Sequence, residues 1–489
     1  MEVLAVFPGL SIVDYWRLLC RGLLLEITVT IFCFMENEQT QPTSPEFSGK
    51  LVRPPLFYKQ WMIAGNPAFF FDRLVNDFGD FIHYRGLFNF YLVNHPTLVK
   101  QILQGTNQSF DKNSVIYNRF RNAFGDGLVV AEGERWKRQR KLMQPIFGAV
   151  AVKRFFELMV DSATAMTHRW ESTCRNKAVF DIAEEMNQIT LEIAGRSLFH
   201  DGFDQAGNKI AQWTRTINHY SAKPPLPIIR SFWFPSRRNF KLKATLKEFH
   251  AFLREMIVNR RTGKEQDDLL SILLRARDEE SGLGMSDLEI MEEALGMIIG
   301  GHETSSSALA WIWYELHQHP EVQKQLHDEI DAVVGKAPLK LEDMPRLQYA
   351  KMIINETLRL HPPFWFENRN VMHDIELGGA RLPKGSLVAF SRYSLHRHPA
   401  FWQNPDQFNP ERFYPDREEN KRSTYAHVPF GGGPRICIGI HFAMMELVII
   451  LVSIAQRYKV VVDAQNRHQM AASLTMTQKY GLKVRLEPR

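Results

Sequence analysis

The feature that most limits how this chain can fold is one long helical segment, Ser286 to His319. Ser286 and Glu289 form an S-x-x-E capping box at its start, in which each side chain satisfies a backbone N–H that the helix leaves unpaired. Pro320 ends the segment, because proline lacks the N–H and clashes with the preceding turn. At ~1.5 Å per residue such a helix spans about 50 Å, enough to cross a whole domain. The rest of the chain must therefore wrap around it. Its middle reads Gly300-Gly301-His302-Glu303-Thr304-Ser305. A glycine inside a helix costs roughly 1 kcal/mol relative to alanine, so two in a row need a compensating reason. Two reasons are open: a ligand lying against the helix, or a neighbouring helix packed into a small-residue notch. Thr304 can also turn its hydroxyl back to an earlier carbonyl and loosen the ladder locally.

Around that helix the pattern is mainly helical from Pro96 to Gly335, interrupted by the Pro-rich loop Lys223–Pro227. Phe81–Tyr84 and Asn89–Val93 flank Gly86 and predict a short hairpin. Strand-like pieces return at Ile375–Leu377, at Ser386–Phe390 after the Pro383-Lys384-Gly385 turn, and at Leu482–Leu486. The expected fold class is mainly α with small β-sheets, one large helical domain over residues 51–489. Residues 1–50 read as an N-terminal extension and polar linker, joined to the body by the stiff Arg53-Pro54-Pro55. Hydrophobic residues make up 45% of the 489, enough for a large core. The formal charge of +6 is too dilute over this length to point to nucleic acid.

Leu18–Met35 is apolar but carries Arg21 and Glu26. It falls short of the ~20 uninterrupted apolar residues a membrane span needs. A weak anchor, an interfacial helix and an extension that the fold does not need are the open readings, with Met35 as an alternative start. The cytoplasm is the expected location, the alternative being membrane association through residues 1–35. Cys20, Cys33, Cys174 and Cys437 show no CxxC pair or metal-ligand spacing, which argues against a disulfide scaffold and a structural zinc site.

Cys437 stands out from the other three. It ends the string Phe430–Gly439, FGGGPRICIG, and an apolar helical run, Ile440–Val452, follows at once. A thiol there sits at a helix N-terminus, where unpaired N–H groups and the macrodipole favour the thiolate. The glycines let the backbone approach a flat ligand closely, and Arg435 can reach an anionic edge of it.

The string resembles the signature Phe-x-x-Gly-x-Arg-x-Cys-x-Gly of the cytochromes P450 at every specified position. The long helix is similar to that family's oxygen-binding helix, with Gly300 and Gly301 as its small pair, Glu303 as its acid and Thr304 as its alcohol. Glu356-Thr357-Leu358-Arg359 and Pro410-Glu411-Arg412-Phe413 resemble two further motifs, and Trp136 with Arg140 a fifth. The resemblance covers residues 50–489, with five motifs in family order.

It implies a haem b (iron protoporphyrin IX) with Cys437 as the axial ligand to the metal. Phe430 and Gly301 would lie against the haem, and Trp136, Arg140, Arg369 and Arg435 near its propionates. Thr304 would hydrogen-bond dioxygen in the pocket, and Glu303 would relay protons from solvent. Glu356, Arg359 and Arg412 would form a buried structural network. Substrate contacts are expected from Leu295, Ile299, Phe364, Trp365, Phe366, Phe120 and Met476, with Tyr117, Phe124 and Val129 nearby. Arg135, Lys137, Arg138 and Lys141 are expected to point outward, either as a solvated face or toward an acidic electron donor.

The implied activity is a monooxygenase that inserts one oxygen atom of O2 into a small hydrophobic, lipid-like substrate. The chain ends 52 residues after Cys437, so electrons are expected from a separate ferredoxin or flavoprotein reductase. A peroxide-using or rearranging haem-thiolate enzyme and a non-catalytic haem sensor are the alternatives.

Overall fold

The structure, a computed structural model, describes residues 49–86, 88–106, 108–222, 236–262, 266, 268–278, 280–415 and 423–489. The apolar stretch Leu18–Met35 and the loop Lys223–Pro227 lie outside these residues. The principal helices are α1 (Gly133–Met143), α2 (Phe156–Arg175), α3 (Ile182–Phe199), α4 (Asp201–Ala222), α5 (Arg237–Thr262), α6 (Asp287–Gln318), α7 (Gln348–Leu360) and α8 (Ile440–Arg457). The long helix α6 starts where its capping box places it. Ser286 Oγ accepts the Glu289 N–H at 3.3 Å, and Glu289 Oε2 accepts the Ser286 N–H at 2.9 Å.

Helix α6 runs through the core with α3 along one side and α7 and α8 against others. Thr190 of α3 donates its hydroxyl to the His302 carbonyl of α6 at 3.1 Å, tying the two helices near the glycine pair. The run Leu447–Val452 in α8 is buried throughout, as an apolar helix without a polar face requires. By length and composition α8 is the one described helix that could cross a membrane, yet 67% of it is buried inside the protein. It is a core helix.

The strands are β1 (Phe81–Tyr84), β2 (Phe90–Val93), β3 (Phe110–Asp111), β4 (Phe180–Asp181), β5 (Phe366–Val371), β6 (Ile375–Leu377), β7 (Ala380–Leu382), β8 (Leu387–Ser391), β9 (Tyr458–Val462), β10 (Met470–Ala472), β11 (Met476–Gln478) and β12 (Lys483–Pro488). The largest sheet has the order β1-β2-β8-β5-β3, with β2 and β8 parallel and the other neighbours antiparallel. Hairpin β1–β2 pairs Phe81 with Val93. The strand expected at Ser386–Phe390 is displaced by one residue to Leu387–Ser391. Strand β5 was not foreseen, since FENRNV has neither apolar alternation nor a long apolar run. It forms because Glu367, Asn368 and Arg369 are buried among polar partners rather than exposed.

Candidate functional site

The loop before α8 is folded back on itself. The Cys437 N–H donates to the Phe430 carbonyl at 2.9 Å, the Gly431 N–H to Val428 at 3.0 Å and the Ile436 N–H to Gly433 at 3.2 Å. Gly431 (φ 77°) and Gly433 (φ 63°) occupy the left-handed region that glycine supplies without strain. At Gly433 a Cβ would stand 2.3 Å from the Leu103 carbonyl oxygen, so loop and neighbouring helix touch backbone to backbone. Cys437 is accessible. It is nevertheless set among enough protein that burial, the largest influence on it, pushes the thiol above its ordinary value. The Gly439 N–H acts in the opposite sense, followed by Arg140 and Arg392. The helix-terminal N–H thus favours the thiolate as expected, but desolvation outweighs it together with the two guanidiniums. A metal cation at the sulfur would displace the proton outright.

Beside this loop lies a crowded set of charges. Arg435 pairs with Glu132 at 2.9 Å, donates to the Ala131 carbonyl at 2.7 Å and lies 4.0 Å from the centre of the Trp136 ring. Arg369 pairs with Glu367 at 2.5 Å, and Arg392 grips the other oxygen of the same carboxylate. Lys112 donates its ammonium to the Val129 carbonyl at 2.8 Å. Burial, and then the Arg369 charge, push Lys112 down to about 7. Burial is likewise the first cause that brings Arg435 down to about 10. Glu367 is held well below the usual carboxylate range by Arg369 and Arg392, against the cost of its burial. Lys112, Arg369, Arg392 and Arg435 thus face two carboxylates, Glu132 and Glu367, and positive charge is in surplus. A group carrying two carboxylates, as haem does, fits that surplus. Arg140 takes a different place: it donates to the Ile436 carbonyl at 2.9 Å, bracing the residue before Cys437.

On α6, a Cβ at Gly300 would meet no atom within 4 Å, and one at Gly301 only the Ala194 Cβ at 3.7 Å. Helix packing therefore demands neither glycine. Thr304 donates its hydroxyl to the Gly300 carbonyl at 2.8 Å, one turn back. Glu303 accepts the Thr475 hydroxyl at 3.1 Å, and burial raises its carboxyl to about 7.

A cytochrome P450 family profile matches residues 49–484. The chain belongs to the cytochrome P450 family. It is 34% identical to a cyclooctat-9-en-7-ol 5-monooxygenase of Streptomyces melanosporofaciens, over 78% of this chain and 82% of that one. It is 30% identical to a human ultra-long-chain fatty acid omega-hydroxylase, over 81% of this chain and 78% of that one. The haem domain of cytochrome P450DA superposes with a TM-score of 0.80 at 27% identity, covering 90% of this chain and 98% of that one. As a member of the family the protein is a haem-dependent oxidoreductase of the monooxygenase class.

The buried network of this P450 is compact. Arg359 holds Glu356 by two bonds, Nε to Oε2 at 2.7 Å and Nη2 to Oε1 at 2.8 Å, with both side chains fully buried. Arg412 Nε approaches Glu356 Oε1 at 3.3 Å, and the Asn409 N–H donates to the same oxygen at 2.8 Å. Arg359 also donates to the carbonyls of His396, Pro405 and Gln407. One arginine thereby fixes the segment leading to the haem loop.

The expected substrate contacts fall into two clusters. Phe120, Leu295 and Ile299 belong to the main core with Tyr117 and Phe124. Trp365 and Met476 belong to a second cluster with Phe70, Phe71 and Tyr84, and Phe366 stacks on Phe71 at 4.8 Å. Phe364 lies under the Arg392 guanidinium at 5.3 Å, and Val129 is exposed.

Of the α1 cations expected to point outward, Lys137 and Lys141 are exposed, while Arg135 and Arg138 are about a third exposed. Arg135 pairs with Glu292 at 2.5 Å, Arg138 with Glu289, and Lys141 with Asp278 at 3.0 Å. The start of α6 is acidic and lies beside α1, which pairs Arg135 and Arg138, while Lys141 meets Asp278 in the segment before α6. Lys137 pairs with Glu134 on its own helix. Sequence reasoning missed Lys112, Glu132, Glu367 and Arg392. Glu367 and Arg369, alternating in a short polar segment, were the one visible hint that a charged strand is buried there.

Proposed function

We propose that this P450 inserts one oxygen atom of O2 into a small hydrophobic substrate, using haem b and electrons from a separate ferredoxin or flavoprotein. The observation that carries this is the accessible Cys437 thiol beside a buried surplus of positive charge, a combination that suits a thiolate-bound, dianionic haem. Residues 51–489 form the catalytic body and residues 1–50 an N-terminal extension and linker. The enzyme acts in the cytoplasm, with membrane contact at most peripheral.

Cys437 would hold the metal, with Phe430 and Gly301 against the macrocycle. Lys112, Trp136, Arg369, Arg392 and Arg435 would hold its carboxylates, while Arg140 braces the loop through Ile436. When bound in this way, haem supplies the activation of O2, and the thiolate's electron donation favours O–O cleavage. The chain's own task is to deliver protons in a pocket otherwise kept dry. Glu303, with its carboxyl raised to about 7, can both accept and release a proton at neutral pH. The Thr304 hydroxyl, one residue on, is the group that passes it into the pocket. The presence of this acid–alcohol pair favours a monooxygenase over a peroxide-using or rearranging enzyme. A hydrophobic, lipid-like substrate agrees with the aromatic clusters. It also agrees with relatives named for cyclooctat-9-en-7-ol, pentalenene and ultra-long-chain fatty acid.

The test is the absorption spectrum of the reduced, carbon monoxide-bound protein beside that of Cys437→Ala. A Soret band at the thiolate-ligated position, lost in the variant, is the expected result. A fresh wild-type sample with the band of a neutral thiol or histidine ligand would overturn the assignment.

A further inference from the structure

Glu303 does not stand alone on α6. Glu303, Ser307 and Trp311 follow one another at intervals of four, which puts them on one helix face. All three meet the turn between β10 and β11. Thr475 donates its hydroxyl to Glu303 Oε1 at 3.1 Å. Ser307 Oγ and Trp311 Nε1 donate to the Met476 carbonyl at 2.5 and 2.9 Å. The turn is also held from behind: the Met476 N–H donates to the Pro363 carbonyl at 2.9 Å, and Trp365 Nε1 to that of Ser473 at 3.0 Å. Thr475 is 2% exposed, so its hydroxyl is delivered from a rigid platform. Glu303 Oε2 is shielded from water, with Asn218 of α4 as the second hydrogen-bonding group that acts on the carboxyl.

We propose that Thr475 is a positioning residue for the Glu303 carboxyl, with the β10–β11 turn fixing which way the acid points and how readily it gives up its proton. This rests on the relay role proposed for Glu303 and deepens it. A flexible carboxylate at this position has several rotamers, and one bond from a fixed hydroxyl selects among them. The same bond favours the ionised form, while burial favours the neutral one. The other described group acting on the carboxyl is Asn218 of α4, and neither it nor Thr475 is charged. The balance therefore lies between burial and two uncharged hydrogen-bonding groups. Because the turn also carries Met476, a substrate that displaced it would change proton delivery as well as fit.

The experiment is an infrared titration of the ferric holoprotein over about pH 5 to 9, a span that brackets a buried carboxyl of this kind. The carbonyl band missing in Glu303→Gln identifies the acid. In Thr475→Val its midpoint is expected to rise by about one pH unit, a tenfold change in the protonation equilibrium. Thr475→Ser should return it to the wild-type value. Thr475→Ala serves as a second removal of the hydroxyl should valine disturb the turn. The pH dependence of product formed per reducing equivalent should move with the band. An unchanged midpoint in both hydroxyl-free variants overturns the proposal. If the midpoint moves but Glu303→Gln leaves coupling intact, the relay role of Glu303 falls while the positioning stands.

Discussion

At the scale of single residues, the haem loop shows how much rests on one backbone position. Gly431, Gly432 and Gly433 are equivalent in the sequence, but Gly433 combines a φ of 63° with a Cβ position 2.3 Å from Leu103 O. The obstacle is a helix backbone, which cannot swing aside as a side chain would. Gly433→Ala is expected to destabilise the protein by about 2 kcal/mol or more, the strained conformation alone costing ~1–2. Gly439→Ala is the control, since nothing lies within 4 Å of its Cβ position and its φ is −87°. Chemical denaturation followed by circular dichroism reads both, and equal midpoints would contradict the close approach. The glycine-rich turn itself was legible in the sequence. Which glycine is indispensable was not, because Leu103 lies far away along the chain. Lys112 escaped for the same reason: its meaning comes from Arg369 and Arg435, which only the fold brings near.

Whole elements were more legible where their signals are local. The capping box and Pro320 placed α6 within a residue at each end, since both act within one turn of the helix. Strand β5 was hidden because strand reading depends on apolar alternation, and here Glu367 pairs with Arg369 and Arg392, and Asn370 with Asp111, instead. The pairing of Arg135 and Arg138 of α1 was not legible because their partners, Glu292 and Glu289, sit on α6. Glu289 joins the two helices: it accepts the Ser286 N–H and hydroxyl and also meets Arg138. Glu289→Ala should therefore cost about 1–2 kcal/mol, most of it from the lost cap, since Arg138 is about a third exposed and its ion pair is worth less. Lys137→Ala, which breaks a surface pair with Glu134, should stay within ~0.5 kcal/mol. Urea midpoints of the two variants compare them directly, and a similar loss in both would remove the special role of Glu289.

Across the whole molecule, each buried carboxyl contributes a pH dependence of definite sign. Burial raises Glu293 and Glu446 to about 8 and Glu303 to about 7. An unfolded glutamate has a pKa of about 4.3. Between these values the unfolded chain has released a proton that the folded chain keeps, so stability falls as pH rises. Each carboxyl contributes up to ~1.4 kcal/mol per pH unit within that window. Lys112, lowered to about 7, acts in the opposite direction only above that pH, where the folded ammonium loses its proton before the unfolded one does. Buried histidines such as His83 and His327, both lowered to about 4, also oppose the carboxyls up to the ordinary histidine value of about 6.5, so the difference between a single carboxyl variant and wild type, rather than the wild-type slope, isolates one carboxyl. Glu293 tests this best, because it lies near the start of α6, away from the haem loop, and accepts the Leu128 N–H at 2.9 Å through Oε1. Glutamine can keep that bond while removing the titration. Glu293→Gln is expected to match wild type near pH 5 and to exceed it in unfolding free energy near pH 7, flattening the curve by one carboxyl's share. Parallel curves for the two proteins would mean that Glu293 ionises normally in the folded state, with water reaching a carboxyl that the packing encloses.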